Sequence, residues 1–231
     1  MNSTIHRDLL ERVRAYKIPP AAAELLKVHP PLIIAGVTAS GKDSVAKRLI
    51  ETSNYREVVT HTTRMPRPGE VHAQHYHFVN EAEMLELAAS GQMVELQDIH
   101  GGNVYGTSIA AYKTVLGAGY KPLLIIDIQG TEEIIRQVPT LSVYFLIPPS
   151  FNDWITRLDG RGHMTHTEKS RRFRSAKSEL EKALTNRKFI ILVNREVNDT
   201  ARQITHIGAD DPAKRRAHEI ARQLIEELGS Y

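Results

Sequence analysis

The chain has 231 residues, of which 41% are hydrophobic and 25% are charged, with a formal net charge of +3, values that are ordinary for a globular protein with a substantial core. The absence of cysteine excludes disulfides, thiolate metal ligands and a cysteine nucleophile. The charge excess is weak and the sequence contains neither a secretory leader nor a run of 18 apolar residues, so we expect a cytoplasmic protein that binds neither nucleic acid nor a membrane.

The order of the predicted elements indicates an α/β fold. Residues 3–28 predict two short helices that are separated at Pro19-Pro20. Four short runs then predict buried strands of a parallel sheet, because each is apolar on both of its alternating faces. These runs are residues 32–35, 123–126, 143–147 and 189–193. Helical patterns between them predict a parallel sheet flanked by helices.

Two segments depart from this alternation. Residues 58–108 are polar, glycine-rich and aromatic, which indicates an insertion. The last segment predicts a helix with Asp211 as N-cap, Pro212 in its first turn and Gly229 as its terminator.

A phosphate-binding loop is predicted between the first buried strand and the following helix. The sequence GVTASGK has the spacing GxxxxGK in the required strand–helix context. In such a loop, successive backbone N–H groups, the helix dipole and the lysine charge bind the phosphates of a nucleoside triphosphate. The predicted contacts are Gly36, Val37, Thr38, Ala39, Ser40, Gly41, Lys42, Asp43 and Ser44. Asp43 occupies the position where Ser or Thr usually contacts magnesium, so either Asp43 or Ser44 is expected at the metal.

A second phosphate site is predicted within the insertion. Arg64 and Arg67 lie three residues apart on either side of Pro66, which restricts the backbone between them. Two guanidinium groups with the phenols of Tyr76 and Tyr105 form a suitable clamp for a phosphate dianion.

Six separate motifs resemble those of guanylate kinases, in the family's order and approximate spacing. They are TTRMPRPGE (62–70), GGNVYGTS (101–108), IIDIQG (125–130), RLDGRG (157–162), RRFRSAKSE (171–179) and ILVN (191–194). The resemblance covers roughly residues 31–205. It implies a P-loop NTPase-type parallel sheet with a GMP-binding insertion and a short lid. The implied organisation is a leader (1–30), a kinase-like domain (31–210) with the insertion at 58–108 and the lid at 155–175, and a C-terminal helix (211–231).

The resemblance also assigns roles to individual residues. The carboxylates of Glu95 and Asp127 and the hydroxyls of Thr60 and Thr107 would read the guanine base, whose N1–H and 2-amino groups are donors. Arg161 and Arg172 would be lid arginines that act with Lys42 in catalysis. Asn194 would lie on the adenine side of the ATP site. The implied reaction is magnesium-dependent transfer of the γ-phosphoryl group from ATP to GMP, without a covalent enzyme intermediate.

Departures from the family pattern leave alternatives to this interpretation. Ala73 and His75 replace a glycine turn and an acidic residue, one extra glycine lies in Gly101-Gly102, and Ile125 replaces an acidic residue. GKDS also resembles ribose bisphosphate phosphokinases, and TASGK resembles tRNA dimethylallyltransferases, but neither accounts for the TTRxPRxGE segment. A catalytically inactive guanylate-kinase-like binding module is the alternative from another class, and the sequence specifies no oligomeric state.

Overall fold

The computed structural model describes residues 3–99, 102–160, 164–206 and 212–229. The helices in these ranges are α1 (Ser3–Arg14), α2 (Pro20–Val28), α3 (Lys42–Thr52), α4 (Glu81–Ala89), α5 (Ile109–Gly117), α6 (Ile128–Gln137), α7 (Phe151–Asp159), α8 (His166–Thr185), α9 (Val197–His206) and α10 (Pro212–Leu228). The strands are β1 (Leu32–Gly36), β2 (Tyr55–Glu57), β3 (His61–Thr62), β4 (His77–Phe78), β5 (Met93–Ile99), β6 (Asn103–Ser108), β7 (Lys121–Ile125), β8 (Val143–Ile147) and β9 (Phe189–Val193). Among these described helices, none has the length and apolar character needed to span a membrane.

The predicted alternation is confirmed. The four predicted buried strands are β1, β7, β8 and β9, and the two leader helices are separated before Pro20. The terminal helix α10 is present and is followed by Gly229, whereas its predicted N-cap, Asp211, lies outside the described residues. The fold is α/β with a mostly parallel sheet flanked by helices.

The chain divides into two compact units. The first comprises the residues up to 32, residues 54–124 and residues 129–141, and the second comprises residues 33–53, 125–128 and 142 onward. The first therefore contains the predicted insertion and the leader, while the second contains the predicted phosphate loop.

The first unit contains a small sheet with the strand order β4-β3-β6-β5. Strand β6 is antiparallel to both β3 and β5, and the β5–β6 register pairs Glu95 with Thr107 and Gln97 with Tyr105. Since side chains alternate across a strand, these four side chains share one face, and Leu96 and Val104 lie on the other. The same unit also contains β2, which is parallel to β7.

The leader helix α1 belongs to the core of this first unit. Leu9 is fully buried, and the Tyr16 hydroxyl donates to the Met93 carbonyl oxygen at 2.7 Å. Both residues share an apolar cluster with Leu96 and Val104, so α1 covers the apolar face of the small sheet. This packing leaves the opposite, polar face to the residues predicted to bind GMP.

The second unit is built on the parallel strands β1, β8 and β9. Ile33 is in register with Val143, which is in register with Phe189. Strand β1 is buried along its whole length, as its continuous apolar sequence predicts. It ends at Gly36, and the chain enters α3 at Lys42, so the predicted phosphate loop joins a buried strand to a helix N-terminus.

Candidate active site

Two glycines in the loop are required by close contacts. Gly36 has φ 154°, and a Cβ atom there would lie 2.4 Å from the Leu146 carbonyl oxygen. Gly41 has φ 86°, and its Cβ atom would lie 2.3 Å from the side-chain nitrogen of Asn194. Any other residue at either position would both strain the backbone and displace a neighbour. The loop therefore brings its backbone to the start of α3, where Lys42 is the first helical residue.

Asn194 fixes the backbone of this loop through hydrogen bonds. Its side-chain nitrogen donates to the Ser40 carbonyl oxygen at 2.8 Å, and its side-chain oxygen accepts from the Thr200 hydroxyl at 3.0 Å. Its backbone carbonyl oxygen accepts from Arg157 at 3.0 Å. Asn194 is only 2% exposed, so its amide is committed to the loop and to α9. This geometry favours a positioning role over the contact with adenine that the sequence comparison implies.

Thr38, near the tip of the loop, is held by two helices. Its carbonyl oxygen accepts from the Trp154 indole at 2.7 Å, and its hydroxyl lies 3.2 Å from a guanidinium nitrogen of Arg172. Arg172 is itself paired with Glu168 one helical turn earlier, at 2.7 Å. The structure thus places one predicted lid arginine directly at the predicted phosphate-binding loop.

Glu179 lies within electrostatic range of Lys42 and Asp127. Burial raises the pKa of the Glu179 carboxyl to about 7. A hydrogen bond from Ser175 at 3.0 Å and the charge of Lys42 both lower this pKa, while Asp127 raises it. The lysine of the loop therefore shares its surroundings with a carboxyl group that titrates near neutral pH.

The polar face of the small sheet carries a hydrogen-bonded carboxylate. Glu95 is 1% exposed, and its two oxygens accept from the Thr107 hydroxyl and from the side-chain nitrogen of Gln97, each at 2.8 Å. Thr107 is fully buried and Gln97 is 5% exposed. A buried carboxylate is costly without such donors, so the strand register that aligns these residues also makes the site possible.

The cationic end of the same face is built around Arg64. Its guanidinium donates to the Tyr105 hydroxyl at 3.0 Å and to the Glu70 carboxylate at 2.9 Å. It lies over the Tyr76 ring, with 5.4 Å to the ring centroid, and the Tyr76 and Tyr105 rings pack edge to face at 5.9 Å. The hydrogen bond from Arg64 lowers the pKa of the Glu70 carboxyl. These contacts orient the guanidinium fork before any ligand binds.

Comparison with known proteins identifies the family of this chain. The family model described as guanylate kinase matches residues 28–209. A guanylate kinase of Leifsonia xyli is 35% identical over 205 residues, which are 87% of this chain and 79% of the relative. A guanylate kinase of Streptomyces coelicolor is 37% identical over 190 residues, which are 81% of this chain and 91% of the relative.

The chain belongs to the guanylate kinase family. A crystal structure of guanylate kinase from Anaplasma phagocytophilum shares the fold, with a TM-score of 0.56 and 26% sequence identity over 83% of this chain and 85% of that one. Guanylate kinases are ATP:GMP phosphotransferases, and this chain therefore belongs to that enzyme class.

The structure brings most of the predicted site residues into two groups. The loop residues, Arg172 and Asn194 lie together in the second unit, and Asp127 lies there too, where its charge acts on Glu179. Arg64, Tyr76, Glu95, Tyr105 and Thr107 lie on or beside the small sheet of the first unit.

The other predicted site residues are Thr60, Arg67 and Arg161. Thr60 immediately precedes β3, and its carbonyl oxygen accepts from the backbone of His77 at 2.8 Å. The side chain of Arg67 is exposed, and its backbone N–H donates to Glu70 at 2.7 Å. Arg161 lies outside the described residues, and α7 and α8 form most of the predicted lid segment.

Sequence reasoning missed three side chains of these groups. Glu70 belongs to the TTRxPRxGE motif but was assigned no role, although it pairs with the first arginine of that motif. Gln97 lies two residues after Glu95, a spacing that places both on one face of a strand. Glu179 ends the RRFRSAKSE motif, and its burial follows only from tertiary packing.

Proposed function

We propose that the loop of residues 36–44 binds ATP, that the polar face of the small sheet binds GMP, and that the γ-phosphoryl group passes directly between them. One observation carries the acceptor assignment. A hydrogen-bonded carboxylate (Glu95) and an oriented guanidinium (Arg64) lie on one face, bridged by Thr107 and Tyr105 of the same strand. Thr107 and Tyr105 are two residues apart, or about 7 Å along the strand.

This spacing suits a nucleoside monophosphate. The Glu95 carboxylate accepts the N1–H and 2-amino protons that guanine presents along one edge, whereas adenine has an acceptor at N1. Arg64, together with Tyr76 and the exposed Arg67, would hold the phosphate dianion beyond the ribose. Thr60 and Asp127 are the other residues that the resemblance assigns to GMP.

On the donor side, the chain supplies positive charge and orientation. Backbone N–H groups of the loop and the ammonium of Lys42 would bind the β- and γ-phosphates. Arg172, already at Thr38, would stabilise the charge on the group in transfer, with Arg161 as the second predicted lid arginine. Closure over both nucleotides would exclude water and so favour transfer over hydrolysis.

The residues at the start of α3 suit a magnesium ion. Asp43 and Ser44 present a carboxylate and a hydroxyl on an exposed first turn, and these hard oxygen donors are those that magnesium prefers. When bound, the ion would neutralise phosphate charge. The alternative is that Asp43 only stabilises the N-terminus of α3 through the helix dipole, and a magnesium titration separates the two roles. A metal role predicts that Asp43→Asn raises the magnesium requirement while Asp43→Ser preserves activity, whereas a helix role predicts unchanged magnesium dependence.

Because ATP and GMP are intracellular metabolites, this proposal includes a cytoplasmic location and a role in purine nucleotide metabolism.

The proposed function is tested by steady-state kinetics on two alanine variants. Lys42→Ala should lower kcat by about 10²-fold or more with little change in GMP binding. Arg64→Ala should instead mainly raise the Michaelis constant for GMP, because it removes a clamp that also binds the ground state. Near-normal turnover of Lys42→Ala would exclude the loop as the donor site.

A further inference from the structure

Gln97 carries a buried side-chain oxygen that is unpaired among the described residues. The residue is 5% exposed, and its side-chain nitrogen donates to Glu95 at 2.8 Å. The side-chain oxygen of Gln97 is buried and has no hydrogen-bond partner within the part of the chain that the structure describes. Buried polar atoms are nearly always paired, so this oxygen requires a donor that the described residues do not supply.

The orientation of this amide is fixed by its neighbours. A carboxylate only accepts hydrogen bonds, so the nitrogen of Gln97 must face Glu95 and the oxygen must face away. The nitrogen end of the amide also packs against Gly130 in the first turn of α6. A Cβ atom at Gly130 would lie 1.7 Å from the Gln97 nitrogen and 3.2 Å from a Glu95 oxygen. Glycine at this position therefore leaves the space that the Gln97 amide occupies.

The three side chains together present acceptors and almost no free donors. The Thr107 hydroxyl proton is directed to one Glu95 oxygen, and an amide proton of Gln97 is directed to the other. The Gln97 oxygen is an acceptor for which the described residues supply no donor. Guanine is complementary to such a set, because its N1–H and 2-amino groups supply three protons along one edge.

We propose that the side-chain oxygen of Gln97 accepts a hydrogen bond from the 2-amino group of guanine, which makes Gln97 a specificity-determining residue for 2-aminopurine nucleotides. This assignment rests on the proposed role of Glu95 and Thr107 in binding the base. Inosine monophosphate (IMP) retains N1–H but lacks the 2-amino group, so it would leave the Gln97 oxygen buried and unpaired. A site built to bind a substrate N–H rejects the analogue without it for this reason.

The test compares GMP and IMP on the full-length chain, by calorimetric dissociation constants without ATP and by kcat/KM with ATP. Gln97→Met keeps the length and volume of the side chain but removes the acceptor, and Gln97→Ala is a second variant of smaller volume. The matched control is Gln92→Ala, since Gln92 is exposed and immediately precedes β5. Thermal unfolding of each variant establishes that it is folded.

We expect Gln97→Met and Gln97→Ala to reduce the preference for GMP over IMP by about tenfold, chiefly through weaker GMP binding, while Gln92→Ala leaves it unchanged. Thr107→Val removes the other donor to Glu95 and leaves the Gln97 amide in place. If Gln97 only supports Glu95, its replacement lowers the preference for GMP over IMP no more than Thr107→Val does, and that result would overturn the proposal. A preference within twofold of the wild-type value in either folded variant would overturn the proposal. Absence of GMP turnover by the wild-type chain would instead overturn the proposed function, and the binding ratio would still decide the role of Gln97.

Discussion

Replacement of Asn194 by alanine should both destabilise the protein and misplace the phosphate loop. The substitution removes the hydrogen bonds to the Ser40 carbonyl oxygen and from the Thr200 hydroxyl. Thr200 keeps a second partner, the Glu196 carbonyl oxygen at 3.0 Å, whereas the Ser40 carbonyl oxygen loses the Asn194 amide. The main loss is therefore at the loop itself.

The magnitude follows from these contacts. A buried polar group left unpaired costs about 1–3 kcal/mol, and the lost bond from Thr200 adds about 0.5–1.5 kcal/mol. We expect the free energy of unfolding to fall by about 3 kcal/mol, which for a chain of this size lowers the Tm by roughly 6–12 °C. The matched control is Asn152→Ala, because Asn152 is exposed on α7 and its loss should change stability by less than about 0.5 kcal/mol.

Urea unfolding and steady-state kinetics with varied ATP test this reasoning. We expect the lower stability to be accompanied by a lower kcat, because the loop backbone loses its hydrogen bond from Asn194. A raised Michaelis constant for ATP with unchanged stability would refute the positioning role and support the contact with adenine implied by sequence. A destabilisation below about 1 kcal/mol would also contradict it.

Three further predictions follow from single contacts. Arg172→Ala should lower kcat with little change in the Michaelis constant for GMP, because Arg172 contacts Thr38 of the proposed ATP-binding loop. A rise in the Michaelis constant for GMP alone would place Arg172 at the GMP site instead. The carboxyl of Glu179 has a pKa of about 7 in the folded state, against an ordinary value of 4.5, so its ionisation destabilises the fold as the pH rises through that window. Glu179→Gln removes this effect. We therefore expect its free energy of unfolding, relative to wild type, to be about 2 kcal/mol higher at pH 8 than at pH 5. Equal urea midpoint differences at the two pH values would contradict this. Ala73→Gly should stabilise the protein by about 0.5–1 kcal/mol, because Ala73 has φ 63°, and a lower Tm would show that this turn tolerates alanine without strain.

Local pattern was sufficient to predict much of the fold. Continuous apolar runs identified the buried strands, and Pro19-Pro20 identified the break between the leader helices. The GxxxxGK spacing located the loop because Gly36 and Gly41 adopt positive φ within the turn, whereas their close contacts with Leu146 and Asn194 are tertiary and have no local signature. The packing of Tyr16 onto Met93, 77 residues away, has no such local signature, and the sequence left the purpose of the leader unassigned.

The candidate site was predictable where motifs name the residue and not where packing decides its role. Arg64, Glu95 and Thr107 were identified from motifs, but the extra glycine after Glu95 left its alignment uncertain until the register paired Glu95 with Thr107. Gln97 matches no motif, and its significance comes from a buried oxygen. Glu179 lies on a helix rich in charged residues, and only burial beside Lys42 distinguishes it.

The most direct test of the account is an ADP-release assay with ATP and one acceptor at a time: GMP, AMP, UMP or ribose 1,5-bisphosphate. The pairing of an acceptor-rich base site with an oriented guanidinium predicts rapid ADP release with GMP and little with the other three. Preferred turnover of ribose 1,5-bisphosphate would assign the loop to a different phosphotransferase. Tight GMP binding without ADP release would identify a binding module, and either result would contradict the proposed transfer from ATP to GMP.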